Sequence, residues 1–445
     1  MKEELLETSK KLVDRALSEG YDEAAVLLNH RKTVMVKLAN SEPSVIQRWR
    51  DLVLNLYLVK DKKILVLALS PTSLDEVNKT IRELIGIADK LYESPFYAPL
   101  PEPGKPEKME LVDKKLLEKI EDPSDIVEKL VETAHREKID YVAGMIELSY
   151  AEKALATSKD ALFYEDSTSI QTYLRAFAGE DGSGQWSYGS RRLNEKKIEE
   201  MASIAARYAV ESRNRVSIEP GIYDIIISPM VAGNLLRLVG FMSSAFMVFM
   251  GMSMFMNKKP GDRVGSEKLT LIDDALNPEL PGSTGFDDEG VSTYSKPIIE
   301  NGIFKNMLHN SKTAAKMGTK STGNAGWITP HPWNLVVSRG DYSFDELVGE
   351  VKKGILVTNN WYTRLQNYVE GVFSTITRDA LFLIENGKIT KPIEKIRIAD
   401  TLPRLLNNID ALGREQYDIW WWEVEIPTRT PYILIRQIRT SKHTV

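Results

Sequence analysis

Apolar positions along the chain recur with two periods, and the changes between them mark out the elements. Residues 3–18 carry Leu5, Leu6, Leu12, Val13 and Leu17 at helical spacing and stop at Gly20, which predicts an amphipathic helix. Strand-like runs follow at 23–28, 33–37, 52–59 and 64–69, with Asp61-Lys62-Lys63 as a tight turn between the last two. A second helix starts at Ser73 and presents Leu74, Val77, Ile81, Leu84, Ile85 and Ile87 on one face. Residues 95–106 place five prolines in twelve positions, the composition of an extended linker or strap. The helical period returns over 126–138, behind Pro123-Ser124-Asp125, where serine or aspartate would cap it. Strands are expected at 141–149, 154–157, 162–164 and 169–178, then a flexible turn with exposed aromatics over 179–189, then a helix over 194–212. This order repeats that of the first unit, as a duplication would. A boundary falls near Glu219-Pro220-Gly221 and divides the chain into domains 1–219 and 220–445.

The second domain opens on the stretch that joins most signals, 223–290. A strand over 223–227 ends in Ser228-Pro229, and an apolar segment then runs over 230–256 to a basic break at Lys258-Lys259-Pro260-Gly261. A strand over 269–274 closes on Asp273-Asp274, and a glycine-bracketed acidic loop runs from Gly282 to Gly290. Residues 238–256 are 19 positions without a charge, close to the length that spans a bilayer. The segment is single and rich in serine, glycine and methionine, so it reads as a buried or subunit-facing helix rather than a membrane span. Further strands are expected at 294–300, 303–308, 333–338, 373–378, 380–385, 388–390, 419–426 and 432–439, and short helices at 344–352 and 402–412. Asn301-Gly302 and Asn386-Gly387 are hairpin turns. The fold class is α+β: a helix–meander–helix N-terminal domain followed by a β-rich C-terminal domain.

Composition narrows the chemistry. A chain of 445 residues, 42% apolar and 27% charged, builds two or three domains with substantial cores. A net charge of -5 leaves no basic footprint for nucleic acid. The absence of cysteine excludes a disulfide framework, a thiolate metal site and a cysteine nucleophile. The charged, amphipathic N-terminus has no apolar core of a signal peptide, so a cytoplasmic protein is expected.

The histidines, His30, His135, His309, His331 and His443, include no pair at the spacing of a zinc-protease helix. His331, between two prolines, reads as structural or surface, and no nucleophile elbow or phosphate loop is present. Asp273-Asp274 and Asp287-Asp288-Glu289 put five carboxylates within seventeen residues. They suit a hard cation or the orientation of backbone amides and an arginine, and they equally suit ordinary turn chemistry. Ser321-Thr322-Gly323-Asn324 forms either a small polar nest for a carboxylate or carbonyl or a plain loop.

Leu271-Ile272-Asp273-Asp274, Asp287-Asp288-Glu289-Gly290, the Asn301-Gly302 hairpin, Ser321-Thr322-Gly323-Asn324-Ala325 and Gly371-Val372-Phe373-Ser374 follow one another in the order of the TldD/PmbA family. The chain resembles that family throughout, most clearly from Ser228 to Ser374. PmbA is also called TldE, and the family has been described as modulators of DNA gyrase. TldD-like members resemble zinc metallopeptidases with HExxxH on a helix and a cysteine as a further ligand. Here Arg237 and Met242 fall where the histidines would be and Leu238 where the glutamate would be. The resemblance is therefore to the PmbA/TldE branch, which lacks the metal centre.

That branch implies a non-catalytic subunit of a two-subunit peptidase acting on small or unfolded peptides, with no cofactor in this chain and zinc on a TldD-like partner. The alternative is a homo-oligomer, such as a homodimer, that binds peptides without cleaving them. The peptide- or partner-binding candidates are Asp287, Asp288, Glu289, Gly290, Ser321, Thr322, Gly323 and Asn324. An independent hydrolase built on the acidic cluster is a third reading.

Overall fold

The structure is a computed structural model that describes residues 1–442, so His443 lies outside it. Helix accounts for 24% and strand for 41% of the chain, and helices and strands mix as an α+β fold requires. The first sheet has six antiparallel strands in the order Lys63–Leu69, Glu42–Lys60, Glu23–Ala39, Tyr141–Thr157, Leu162–Ala178 and Gly182–Ser190. The runs at 23–28 and 33–37 are one strand, because their polar junction is paired across the sheet. Arg31 donates to Glu147 Oε1 and Ser149 Oγ, both at 2.7 Å, and His30 lies 3.1 Å from Glu152. The runs at 141–149 and 154–157, and those at 162–164 and 169–178, are likewise single strands. Asn40-Ser41 and Asp61-Lys62, all at positive φ, close the first two hairpins.

Strand period two decides what each face of this sheet carries. Even-numbered residues of Glu23–Ala39 pack at one end on helices Lys2–Ser18 and Leu74–Ala88. At the other end they pack on helices Lys114–Glu121, Ser124–Ala134 and Glu195–Glu211. Odd-numbered Ala25 and Leu27 lie on the opposite face with Tyr57, Val59, Phe286 and Trp327. Ser73 caps its helix as expected, accepting from the Glu76 amide at 3.3 Å. The helix expected over 126–138 is Ser124–Ala134, with Pro123 at its N-cap and no side-chain cap. Lys114–Glu121, capped by Asp113, is an additional helix.

Residues 179–189 are no flexible turn. Strand Gly182–Ser190 is buried throughout, including Trp186 and Tyr188. Its glycines are read differently once helix Glu195–Glu211 is placed on them. A Cβ on Gly184 would lie 2.2 Å from the Ala205 carbonyl oxygen, and one on Gly182 would lie 2.5 Å from that of Ala209. The glycines serve helix-to-strand approach rather than chain freedom.

Strand Ile222–Ile227 is central to the second half of the chain. It pairs parallel with Lys353–Asn367 and antiparallel with Ile433–Lys442. The sheet continues through Ile396–Thr401 and Val372–Glu385 to Lys388–Pro392, and Lys353–Asn367 also pairs with Val372–Glu385 to make it barrel-like. The runs at 373–378 and 380–385 are one strand with Asp379 at φ 59, and 402–412 divides into helix Leu402–Asn407 and strand Ile409–Leu412. A third sheet orders Ile303–Phe304, Lys296–Glu300, Leu271–Asp273, Leu335–Val337, Val424–Thr430 and Tyr417–Trp421, the last two replacing the single run at 419–426. Asn301-Gly302 and Asn386-Gly387 both turn with positive φ.

The apolar segment 238–256 is not one helix. Helix Pro229–Met242 ends there, Ala245–Phe249 forms a short second turn, and Ser253 Oγ donates to the terminal Met242 carbonyl at 2.6 Å. No helix among the described residues is long and apolar enough to cross a membrane.

The glycine strand generates a stability prediction. Gly184→Val drives a branched side chain into the backbone of helix Glu195–Glu211 and should lower unfolding free energy by about 3 kcal/mol in urea titrations. A loss below about 0.5 kcal/mol would show that the helix moves away freely.

Candidate functional site

The acidic loop and the Ser321–Asn324 stretch come together against the odd-numbered face of the first sheet. The loop is seated by Phe286, whose ring lies 5.3 Å from that of Phe163, and by Gly290, which turns at φ +79. The proline-rich strap passes over it, and the Gly104 amide donates to the Gly290 carbonyl at 2.8 Å.

The carboxylates turn inward. Asp287 has no solvent exposure. Its Oδ1 accepts from the Glu289 and Val291 amides at 3.0 and 2.9 Å, and its Oδ2 accepts from Ala325 at 3.0 Å. Burial, and behind it the Glu289 charge, raise its pKa above the usual carboxylate range, while the Ala325 and Val291 amides favour the anion. Glu289, also fully buried, accepts from the Ser311 amide and hydroxyl at 2.8 Å and from Lys312 Nζ at 2.5 Å. Lys312 is itself only 4% exposed and lies 4.4 Å above the Tyr57 ring, which stacks on Trp327 at 5.4 Å. Asp288 is half-buried, and burial raises its pKa above the usual carboxylate range.

Asp273 completes the cluster. It accepts from Lys296 Nζ at 3.1 Å, from Asn324 Nδ2 at 2.6 Å and from the Trp333 amide at 2.7 Å. Asp274 faces outward and is joined by the Ser295 hydroxyl. Asn324 also donates to the His331 carbonyl at 2.9 Å, and its own Oδ1 accepts from Thr322 at 2.8 Å. Ser321 donates to the His309 carbonyl at 3.3 Å, and Thr322 Oγ1 accepts from the His309 amide at 2.8 Å. Gly323, at φ +68, passes so close to Ser292 that a Cβ would sit 2.5 Å from its carbonyl oxygen. Burial holds the His309 imidazole down at about 4.

All eight candidate positions therefore share one region, where the carboxylates do orient backbone amides. Their charged partners are lysines, not an arginine. Lys296 and Lys312 were not picked out from the sequence. The signal for Lys296 was its place on the inward side of an apolar strand, two residues before buried Ile298. Among the described residues no group of three or more His, Asp or Glu side chains converges as a metal would require.

The helix positions of the zinc motif lie elsewhere. Helix Pro229–Met242 is capped by Ser228, which accepts from the Val231 amide at 3.4 Å. Leu238 and Met242 are buried, and Arg237 is half-buried with its Nε unpartnered. One turn earlier, fully buried Asn234 donates to the Glu423 carbonyl at 3.0 Å and accepts from Asn360 and Thr363 at 3.1 and 2.6 Å. Thr375 bonds both of these at 3.0 and 2.8 Å. This polar network beside Arg237 was not visible in the sequence, since its members are spread from position 234 to position 423.

Models of the PmbA/TldA metallopeptidase central and C-terminal domains match residues 98–213 and 220–442. The chain belongs to the PmbA/TldD family. It is 30% identical over 309 residues to a metalloprotease of Methanocaldococcus jannaschii, which covers 66% of this chain and 67% of that protein. The fold is similar to that of TldE from Thermococcus kodakarensis, with a TM-score of 0.85 over 97% of this chain and 99% of that one at 22% identity. A Thermotoga maritima protein solved as a candidate modulator of a DNA gyrase is similar over 99% of this chain and all of that one, at TM-score 0.85 and 24% identity.

Within this family the donor set decides whether zinc fits. Arg237 brings a cation, Leu238 brings no base and Met242 brings a buried thioether, while the nearby carboxylate of Glu423 is taken by Asn234 at 3.2 Å. The residues at these positions do not fit zinc.

Glu289→Gln leaves the Lys312 charge buried without its partner, and urea unfolding should show a loss of about 4 kcal/mol. Adding Lys312→Met should recover part of that loss.

The His309 imidazole binds a proton in the unfolded chain near its ordinary 6.5 but only near 4 when folded. Its contribution to stability is complete above pH 6.5 and disappears as pH falls toward 4. Thermal melts should therefore fall over that window, and His309→Gln should make the fall shallower; an unchanged slope would refute the assignment.

Proposed function

We propose that this chain is the non-catalytic, TldE-like subunit of a zinc metallopeptidase that acts on small or unfolded peptides together with a TldD-like partner. The observation that carries this reading is the face of helix Pro229–Met242. Arg237, Leu238 and Met242 stand where the family's catalytic branch needs two ligands and a base, and the chain has no cysteine to supply the further ligand. A guanidinium repels a divalent cation, and leucine can take no proton from a metal-bound water. The family's name as a metallopeptidase and the similarity to a TldE fold support the same assignment. The partner then supplies the metal. This chain supplies a shaped, rigid surface: the exposed Phe241, Trp361, Tyr362 and Trp422 are large side chains available for a peptide or a subunit.

Co-expression with a TldD-like protein from the same source tests this reading. The expected outcome is a stoichiometric complex with one zinc per pair, cleaving unfolded peptides only when both chains are present and losing activity to a chelator. A lone homodimer that ignores the TldD-like chain would overturn it in favour of the peptide-binding homodimer. Chelator-sensitive cleavage by this chain alone would overturn it in favour of an independent enzyme.

A further inference from the structure

Strand Glu42–Lys60 has one covered side and one open one. Strand Glu23–Ala39 pairs with it from Glu42 to Val59, whereas Lys63–Leu69 covers only Leu54 to Lys60 on the other side. Positions 42–53 are therefore a free edge, and no other backbone hydrogen bond among the described residues reaches it. Its side chains are as open as its backbone: Val45, Ile46 and Leu52 are 41%, 62% and 38% exposed. A row of unpaired amides and carbonyls beside apolar side chains is a template for a further strand, and native proteins cover or blunt such an edge.

An apolar cavity lies alongside. Even-numbered positions of the edge face the helices, since Ile46 pairs with Val36 of the core against helix Ser124–Ala134. With Val36, Pro123, Val127 and Val131, Ile46 lines a cavity of about 460 Å³. The direction of the helix beside the edge is fixed at both ends. Arg48 donates to the Glu121 carbonyl at 2.9 Å near its start, and His135 Nε2 at its end lies 2.8 Å from Ser41 Oγ. Glu132, one turn before His135, therefore lines the cavity at the Ser41 end. Glu42 and Glu132 are exposed there and make no ion pair among the described residues.

The occupant this edge fits is a second copy of itself. Two identical edges pair antiparallel about a two-fold axis normal to the sheet, so residues of equal parity stand opposite one another. Centring the pair on Ile46 sets Glu42 against the partner's Arg50 at both ends and Ser44 against the partner's Arg48. The two Ile46 side chains then meet beside the cavity and cover apolar surface that is open in one copy. Both arginines of the partner arrive at the Ser41 end, where Glu42 and Glu132 lie unpaired. Centring on Arg48 instead opposes that residue with itself, and centring on Trp49 opposes Arg48 with Arg50, which like charges disfavour.

We infer that this chain self-associates through the edge at 42–53, in an antiparallel pairing centred on Ile46 that joins the N-terminal sheets of two copies into one. The inference goes beyond the subunit reading, which rests on helix Pro229–Met242. That helix packs on the C-terminal strands Val424–Thr430 and Lys353–Asn367, so the two associations use different parts of the chain and are measured separately.

Sedimentation velocity on the full chain tests it and should show a monomer–dimer equilibrium with a dissociation constant of about 1–100 µM, as a short interface gives. Glu42→Arg and Arg50→Glu, both at exposed positions, should each weaken the dimer about tenfold without changing the circular dichroism, and the double exchange should restore it. Because the chain has no cysteine, Ile46→Cys reads the register directly, and mild oxidation should link two copies through it. Leu52→Cys should stay unlinked, since the same register holds its two copies roughly 40 Å apart. A monomer at every concentration, a double exchange that restores nothing, or equal linking at positions 46 and 52 would each overturn the inference. A monomer that still binds a TldD-like chain would overturn this inference alone; a dimer that ignores such a chain would uphold it and overturn the subunit reading.

Discussion

Three carboxylates with no access to water, on Asp273, Asp287 and Glu289, impose the constraint that organises the middle of this molecule. Removing a carboxylate from water costs several kcal/mol unless donors replace the hydration. The donors come from distant segments: amides at 291, 311, 325 and 333, the Asn324 side chain, and the ammonium groups of Lys296 and Lys312. Each bond therefore fixes a loop that has little regular structure of its own. The Ser321–Asn324 stretch, the start of helix Ser311–Met317 and the turn through Trp333 all take their positions from these charges. The aromatic pair Tyr57 and Trp327 then seals the cluster against the first sheet.

A second constraint is steric. Strand Gly182–Ser190 allows helix Glu195–Glu211 to approach more closely than any side chain would permit. The helix is thereby set with Ile198, Ala202 and Ala205 inward, while Glu200, Arg207 and Tyr208 reach a cavity on its flank. Tyr208 meets Tyr432 from the C-terminal barrel, so a contact in the N-terminal sheet sets where this helix touches a residue more than two hundred positions on. The core around Trp186 runs without a break from one half of the chain into the other.

Legibility followed the physics of each element. The amphipathic helices at Lys2–Ser18 and Leu74–Ala88, the Asn-Gly hairpins and the strap were readable because local period or turn chemistry determines them. Polar positions within long strands misled, as at His30 and Arg31, because their partners sit across the sheet more than a hundred residues away. Strand Lys353–Asn367 escaped notice for the same reason: its adjacent Asn359 and Asn360 donate to Asp379 and Asn234 rather than forming a turn. In the candidate site the acids and the Ser–Thr–Gly–Asn stretch could be named individually. Their convergence could not, since burial and the two lysines only appear once the sheets are packed. The family resemblance came from the order of motifs, a property that survives when no one motif is decisive.

Strand Ile222–Ile227 has both its neighbours downstream, at Lys353–Asn367 and Ile433–Lys442. On a ribosome the strand and the apolar helix after it emerge long before either partner exists. With roughly 200 residues still to be made at about 5–20 residues per second, the methionine-rich segment stays uncovered for tens of seconds. The barrel closes only when strand Ile433–Lys442 has emerged, which makes that strand the timing element of folding. The same features that give the finished protein a dry, continuous interior thus expose its nascent chain to aggregation.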